Sequence, residues 1–300
     1  MGGSSRKILI TGSSGFLGKK FTEYFAKHHP ETEIRLLIHK KIPVATPSNC
    51  QLIKGSLEDG ASLKKALTGI HTVVHFAGKT HTNKEEEYFR VNAAGTKTLA
   101  EAAQEAGVTR FIFISTRAIK KECGDYAVSK RRAEEAVQES GIPYSILRLS
   151  EIYGEDSKEG LGFLIKIISS SLPIIPYPAG NIKLAPLLLE DAIQGITNAV
   201  LQTDLNDKIY NLAGPRSYPI KEVIRIIAQS FSRKKIFLPI PLLAFRLAAL
   251  IKINGRPIAY DDQINRLLCQ KENNIDAARH DLHFSPRPFE DGLSYIYPRN

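Results

Sequence analysis

The chain is predicted to be an α/β protein, and three observations carry that expectation. Short runs rich in β-branched residues alternate with amphipathic stretches at helical spacing through the first half. Three glycines, Gly12, Gly15 and Gly18, lie directly between the first such strand and the first helix. Strands separated by helices need crossover connections, which give a parallel sheet covered on both faces. The expected architecture is a Rossmann-type doubly wound parallel sheet with a smaller C-terminal α/β substrate lobe.

Taken in order, Lys7–Thr11 reads as the first strand and Phe16–His28 as the first helix. Ile34–Ile38 reads as the second strand, Gln51–Lys54 as a weak third, Ala61–Leu67 as a helix and Thr72–Phe76 as the fourth strand. A long helix over Glu85–Ala106 precedes the apolar strand Phe111–Ser115. A helix from Tyr126 to Glu139 and a strand over Tyr144–Leu149 follow. Beyond Gly154 the rhythm loosens, prolines cluster at Pro173, Pro176, Pro178 and Pro186, and a further strand falls near Lys208–Leu212. Residues 6–154 are therefore expected to form mainly the dinucleotide-binding core. Residues 155–300 are expected to form mainly the substrate lobe, with some segments returning to the core. Ile240–Ile253 is nearly all apolar apart from Arg246 and Lys252. It reads first as a core or lobe-packing helix, with a peripheral membrane contact or a homodimer patch as the other readings.

Composition narrows the partners. With 43% hydrophobic and 24% charged residues, the 300-residue chain has an ordinary globular balance and enough length for a substantial core. No stretch approaches about 18 uninterrupted apolar residues, so no transmembrane segment is expected. Met1 to Arg6 lack the apolar core of a signal peptide and read as a short leader. The formal net charge of +10 would attract a dinucleotide, a nucleotide-diphosphate substrate, nucleic acid or an acidic membrane. No basic block is interleaved with aromatic residues, so no nucleic-acid partner is expected. Cys50, Cys123 and Cys269 are widely spaced and odd in number, which argues against a disulfide framework or a zinc site and points to a cytoplasmic location. Cys123 is near the presumed site but reads as an inert thiol. The histidines show no ligand spacing, and no metal is expected.

The glycines follow the spacing G-x-x-G-x-x-G after a strand and open a helix. Backbone without Cβ atoms can approach a pyrophosphate there, and the helix N-terminus supplies N–H groups and a positive dipole end. An acidic residue usually ends the second strand of such a fold and holds the adenosine ribose. Here Ile38 is followed by His39, Lys40 and Lys41, cations suited to a 2′-phosphate, so NADP(H) is favoured over NAD(H).

Ser115 and Thr116 end the strand before the helix that carries Tyr126 and Lys130. Four residues apart, the phenol and ammonium share a helix face. A cation beside a tyrosine favours its ionised form, which suits the phenol to acid/base work at neutral pH. A hydroxyl from the strand end can hold the substrate oxygen while nicotinamide exchanges hydride.

Together with the glycine turn, these residues resemble the extended short-chain dehydrogenase/reductase family, which includes nucleotide-sugar epimerases, dehydratases and reductases. Further matching pieces are His75-Phe-Ala-Gly78, Val91-Asn92-Ala-Ala-Gly95-Thr96, Leu147-Arg148 with Ile152-Tyr153-Gly154, Asn211-Leu-Ala-Gly214, and Phe284-Ser-Pro286 with Asp291-Gly292-Leu293. The resemblance implies Tyr126 as acid/base, Lys130 as a ligand of the nicotinamide ribose that also tunes Tyr126, and Thr116 as the catalytic hydroxyl, with Ser115 as its substitute. It implies cofactor contacts at Gly12, Ser14, Gly15, Phe16, Leu17 and Gly18, at His39 and Lys40, at Ser56 and Leu57, at Phe76, Ala77 and Gly78, and at Asn92 and Lys130.

The chain also departs from the family. Ser56 stands where an Asp commonly binds adenine, with Glu58 and Asp59 as nearby compensations. Arg117-Ala118 replaces the Asp-Glu pair of dehydratases, which argues against dehydration. Only nine residues separate Thr116 from Tyr126, implying a more open pocket. Glu151 lies where relatives carry Asn or a small residue near substrate phosphates, and its charge would repel them unless Lys120 and Lys121 offset it. Ser171-Leu-Pro-Ile-Ile-Pro176 and Phe237-Leu-Pro-Ile-Pro241 look like substrate-lobe segments of bacterial sugar 4-reductases.

The leading expectation is an NAD(P)-dependent oxidoreductase or epimerase acting on a nucleotide-linked sugar. The alternatives are a non-catalytic dinucleotide-binding scaffold or assembly protein, like the Rossmann-fold accessory subunits of respiratory complexes, and a hydroxysteroid or lipid-alcohol dehydrogenase.

Overall fold

A computed structural model describes residues 6–40, 46–157, 160–249, 251–253, 256–257 and 261–298. The leader residues 1–5, Lys41 and Leu250 lie outside the described residues. In chain order the first half contains β1 (Lys7–Thr11), α1 (Phe16–His28), β2 (Glu33–Ile38), β3 (Cys50–Lys54), α2 (Gly60–Leu67), β4 (Thr72–His75), α3 (Glu85–Tyr88), α4 (Gly95–Glu105), β5 (Arg110–Thr116), α5 (Asp125–Glu139) and β6 (Tyr144–Leu149). The second half contains β7 (Ile152–Tyr153), α6 (Gly160–Ser169), β8 (Ile174–Pro178), β9 (Lys183–Leu184), β10 (Leu187–Leu188), α7 (Leu189–Leu201) and β11 (Lys208–Leu212). Then come β12 (Tyr218–Pro219), α8 (Ile220–Ser230), β13 (Ile236–Ile240), α9 (Leu242–Ala249), α10 (Asp261–Leu268), α11 (Asp276–Asp281) and α12 (Phe289–Ile296).

Seven strands form one sheet in the order β11-β6-β5-β4-β1-β2-β3, every neighbouring pair parallel. Their apolar character follows from burial on both faces. Residues Leu9, Val73, Phe111 and Phe113 pack under α2, α4 and α5, while Ile8, Ile10, Ile112 and Leu147 pack under α1 and α7. The order of connections reverses between β1 and β4, which opens a crevice at the C-terminal strand ends. A second apolar core gathers Leu161, Ile165, Ile175, Tyr177, Val223, Ile224, Ile227 and Phe289.

Two boundaries differ from the sequence expectation for physical reasons. The helix expected over Glu85–Ala106 is continuous in direction but widens into a π-helical segment over Phe89–Ala94. Such bulges rotate side chains out of α register and occur at functional sites, and this one carries Asn92. The apolar stretch Ile240–Ile253 contributes no buried core helix; its helical part packs on the lobe beside β8 and α10. Among its described residues only Leu242–Ala249 is helical, and Leu243 and Leu247 are exposed.

Candidate active site

The turn between β1 and α1 is shaped by close backbone approach. Gly12 has φ +75°, and a Cβ on it would lie 2.5 Å from the Ala77 nitrogen after β4. A Cβ on Gly18 would meet the Gly12 carbonyl oxygen at 2.3 Å. No side chain caps α1, whose N-cap Gly15 is extended, so the amides of its first turn face outward toward an anion. The buried Ser13 hydroxyl beside them has no partner within the protein. These features fit the pyrophosphate of the dinucleotide that the resemblance implies.

Around that cradle, β4 is held in register by His75. Its ring lies between the Thr11 and Thr96 hydroxyls at 2.6 and 2.9 Å and stacks on Phe113. Burial, assisted by the Lys130 charge, pushes its pKa down to about 3, so the ring is neutral. Phe76, Ala77 and Gly78 follow, the Phe76 and Ala77 amides tied to Thr11. Asn92 fixes the next loop: its amide donates to the Lys79 carbonyl and the Ser129 hydroxyl at 3.0 Å each and accepts from the Lys79 nitrogen at 2.7 Å. Ser129 in turn bonds the Tyr126 carbonyl at 2.8 Å. The π segment thus links the cofactor-side loop to the helix that carries Tyr126.

A crevice of about 990 Å³ runs from Gly12, Ser14, Gly15, Phe16, Leu17 and Gly18, past Phe76 and Gly78, to Ser115, Thr116, Tyr126 and Lys130. His39 and Lys40 are exposed beyond β2, and Ser56 and Leu57 lie beyond β3; neither pair lines it. Ser56 and its neighbours are committed locally. Ser56 forms a turn with Glu58, Asp59 caps α2 through the Ala61 and Ser62 amides, and Glu58 pairs with Arg90. Glu58 and Asp59 therefore do not stand free to replace the missing adenine-binding Asp.

The hydroxyls divide their work. Ser115 donates to Glu134 at 2.5 Å, and Glu134 also receives a bidentate pair of bonds from Arg148 at 3.0 and 2.6 Å. That ties Ser115 to the Glu134–Arg148 ion pair between β5, β6 and α5. Thr116 accepts only a short turn bond from the Ala118 amide at 3.1 Å and remains on the crevice wall. Lys130 donates to the Ile114 carbonyl at 2.7 Å and sits 3.9 Å over the Phe113 ring. Burial brings its pKa down to about 7 against the pull of Glu134.

The cation set against Tyr126 comes from the second half and was missed by sequence reasoning. Arg266 on α10 lies 4.2 Å over the phenol ring, donates to the Thr80 carbonyl at 2.9 Å and pairs with Asp262 at 3.0 Å. Asp262 also accepts from the Tyr126 amide at 3.1 Å. Burial raises the Tyr126 pKa; Arg266 opposes and Asp262 adds to that rise. The phenol stays protonated at neutral pH and can serve as a proton donor. α10 therefore lies over Tyr126 and, through Arg266, adds to the wall of the crevice beside the short loop. The only sequence signal was the Asp262–Arg266 spacing of four on a helix.

Cys123 and Cys269 are disulfide-bonded, contrary to the expectation drawn from their spacing. They are 146 residues apart in sequence, but α10 packs on the 3₁₀ turn Lys121–Cys123 that precedes α5. The bond clamps α10 at the entrance to the Tyr126 helix. Cys50 is free and half-buried.

Glu151 also departs from its expected role. Its carboxylate is held by Arg117 and Lys271 at 3.1 Å each and by the Ala185 amide at 3.1 Å. Burial alone would raise its pKa, yet Lys271 and Arg117 outweigh it and hold the group at about 2. Its charge is spent inside the protein, so it presents no bare carboxylate to a substrate phosphate. Beside it a cavity of about 290 Å³ is lined by Arg117, Asn181, Lys183, Ser217, Gln270 and Lys271.

A family model described as NAD dependent epimerase/dehydratase family matches residues 8–213. Ceramide reductase from Caulobacter vibrioides is 30% identical over 186 residues, which span 62% of this chain and 58% of the reductase. UDP-glucose 4-epimerase from Vibrio cholerae is 23% identical over 313 residues, covering 94% of this chain and 91% of the epimerase. Among solved structures, a double mutant of the dTDP-glucose 4,6-dehydratase DesIV from Streptomyces venezuelae, with NAD and DAU bound, superposes with a TM-score of 0.75 at 19% identity, covering 97% of this chain and 95% of that one. The chain belongs to the NAD dependent epimerase/dehydratase family, within the extended short-chain dehydrogenases/reductases.

Proposed function

We propose that this protein is an NAD(P)-dependent oxidoreductase or epimerase that transfers hydride at a ring carbon of a nucleotide-linked sugar. The observation that carries the reading is the single crevice joining the Gly12–Gly18 cradle to Thr116, Tyr126 and Lys130. When bound, the dinucleotide supplies or accepts hydride. The amides of Phe16, Leu17 and Gly18 hold its pyrophosphate, and Lys130 holds its nicotinamide ribose. Thr116 positions the substrate oxygen, and Tyr126 gives or takes the proton at that oxygen, with its phenol kept neutral by burial. The cationic cavity of Arg117, Lys183 and Lys271 suits the substrate diphosphate: with Glu151 counted, those groups carry a net positive charge. Both cavities border consecutive residues, Thr116 and Arg117, at the end of β5.

His39 and Lys40 support NADP(H), because neither can pair with the ribose hydroxyls as a carboxylate does. The family description and the NAD bound in the DesIV structure point to NAD(H), so direct titration decides: NADPH is expected to bind more tightly than NADH, and the reverse order defeats this choice.

Tyr126→Phe tests the mechanism. Turnover of a panel of UDP- and dTDP-linked sugars is expected to fall by about 10²- to 10⁴-fold, while the dinucleotide dissociation constant stays nearly unchanged. Unchanged turnover in the variant sinks the acid/base assignment. Absence of turnover in the native chain, with a dinucleotide retained through purification, favours the scaffold reading. A lipid-alcohol substrate is the second reading, favoured by the ceramide reductase match and by the exposed apolar residues of the second lobe; turnover of a long-chain keto lipid in place of the sugars establishes it.

A further inference from the structure

β8 and β13 form a two-stranded parallel ribbon in which Ile174 pairs with Ile236 and Pro176 with Leu238. Side chains alternate between its faces. Ile175 and Tyr177 point into the second core, with Phe237 packed against it. The opposite face carries Ile174, Pro176, Ile236 and Leu238, all exposed. A ribbon covered on one side ordinarily shows polar residues on the other. This one shows none at those four positions.

The apolar surface continues beyond the ribbon. α9 begins two residues after β13 and packs beside β8. It leaves Leu243 and Leu247, one turn apart, 70% and 62% exposed, and Leu172 and Ile251 are exposed at the ends of the same segments. Solvated faces of monomers seldom present so many large aliphatic side chains together.

The chain segments that carry this surface are basic in sequence. Residues 223–260 contain seven Lys and Arg and no Asp or Glu, and residues 160–189 contain Lys166 and Lys183 and again no carboxylate. Arg233 and Lys234 are exposed immediately before Ile236. Lys235 donates to the Ser170 and Leu172 carbonyls after α6, which anchors the start of β13 beside the patch.

We infer that the β8–β13 ribbon and α9 form a docking surface for a bilayer containing anionic lipid. Aliphatic side chains flanked by the exposed Arg233 and Lys234, in segments whose sequence holds no carboxylate, match an acyl boundary beneath anionic headgroups. A second copy is a poorer occupant. A two-fold interface would set this face against itself, and residues 223–260 hold no acid to pair the exposed Arg233 and Lys234 of a facing copy. The surface is one helix away from the active site. Arg246 of α9 bonds Asp261 and Asn265 of α10 at 2.7 Å each, and α10 carries the Arg266 that covers Tyr126.

Co-sedimentation with vesicles tests this. The full chain is incubated with phosphatidylcholine vesicles and with vesicles of phosphatidylcholine and phosphatidylglycerol, at low and high salt. Binding to the anionic vesicles is expected to be about tenfold or more tighter, and weakened by salt. The double variants Leu243→Asp/Leu247→Asp and Arg233→Glu/Lys234→Glu are each expected to lose about tenfold or more. All four side chains are exposed or at a loop, so thermal melting serves as the folding control, and the charge-reversal pair keeps the test open should the leucine pair unfold. Three results overturn the inference: no binding of the native chain, equal binding to both vesicle types, or two folded variants that bind like the native chain. A native dimer that Leu243→Asp/Leu247→Asp splits into monomers, without vesicle binding, assigns the face to a second copy.

Discussion

The two halves of the molecule treat their apolar residues differently. In the sheet of the first half, Leu9, Val73, Val74, Phe111 and Phe113 are all fully buried. In the second half, Leu243, Leu247, Ile236 and Ile251 stand in solvent. The sheet of the first half is covered by helices on both faces, so most of its apolar surface closes away from the crevice at the strand ends. The other half is closed toward its own core by Ile175, Tyr177 and Ile224 and left open on its outer face. Packing in the first half therefore reports the fold, whereas the exposure in the second is the surface that the proposed bilayer contact would cover.

The largest effect that would sharpen this contrast is at the tightest point of the sheet half. Gly18→Val places a Cβ where the Gly12 carbonyl oxygen is only 2.3 Å away, and backbone cannot yield as a flexible side chain does. The expected outcome is loss of dinucleotide binding and a stability cost of about 5 kcal/mol, the exceptional end of single substitutions. Denaturant unfolding and dinucleotide titration read both. Near-native values in each would show that the cradle is not the rigid centre of this half.

Next comes the seam where the halves meet. Glu151 joins Arg117, at the end of the sheet, to Lys271 in the second half. Glu151→Gln leaves two buried cations without their partner, at an expected cost of about 3 to 5 kcal/mol at neutral pH. The sign of the pH dependence follows from the lowered pKa. Glu151 contributes fully above its ordinary value of 4.5 and loses that contribution as pH falls toward about 2. The stability gap between native chain and variant should therefore close between those values, as read by urea unfolding at a series of pH values. A gap that stays constant through that range refutes the ion-pair account.

Much of the sheet half was legible because its signals are local. Lys7–Thr11 and Phe16–His28 were placed residue for residue by β-branched and amphipathic periodicity on either side of a glycine turn. Tyr126 and Lys130 were marked by the family resemblance that the glycine turn supports, since a spacing of four on a helix is common by itself. The second half resisted for the opposite reason. β8 and β13 are about sixty residues apart and pair only through tertiary packing, with prolines that blur any strand signal. Arg266 reaches Tyr126 across 140 positions, and Cys269 reaches Cys123 across 146. No local pattern announces such a contact. An odd number of cysteines even argued against it, since the third, Cys50, is left over.

A smaller effect concerns how firmly the second half grips the helix that carries Tyr126. Replacing both Cys123 and Cys269 by Ser is expected to cost about 2 to 4 kcal/mol, mainly by freeing a long loop in the unfolded chain. Because α10 also brings Arg266 and Asp262 to Tyr126, turnover should drop while dinucleotide affinity, set by the distant glycine turn, holds. Thermal melts and steady-state kinetics with and without dithiothreitol check this. Native chain treated with reductant should approach the variant, and identical kinetics in all samples would show that Tyr126 does not depend on the clamp.

The smallest expected effect separates packing from interaction most cleanly. Leu243→Asp replaces an aliphatic side chain that is 70% exposed and is not part of the second core. Burial of a leucine is worth about 1.5 to 3 kcal/mol only when water is removed from it. A surface substitution away from packed features usually changes stability within about 0.5 kcal/mol. The melting transition of Leu243→Asp should therefore coincide with that of the native chain. A loss beyond about 2 kcal/mol would mean that Leu243 packs in solution, and the outer face of the second half would then belong to the fold after all.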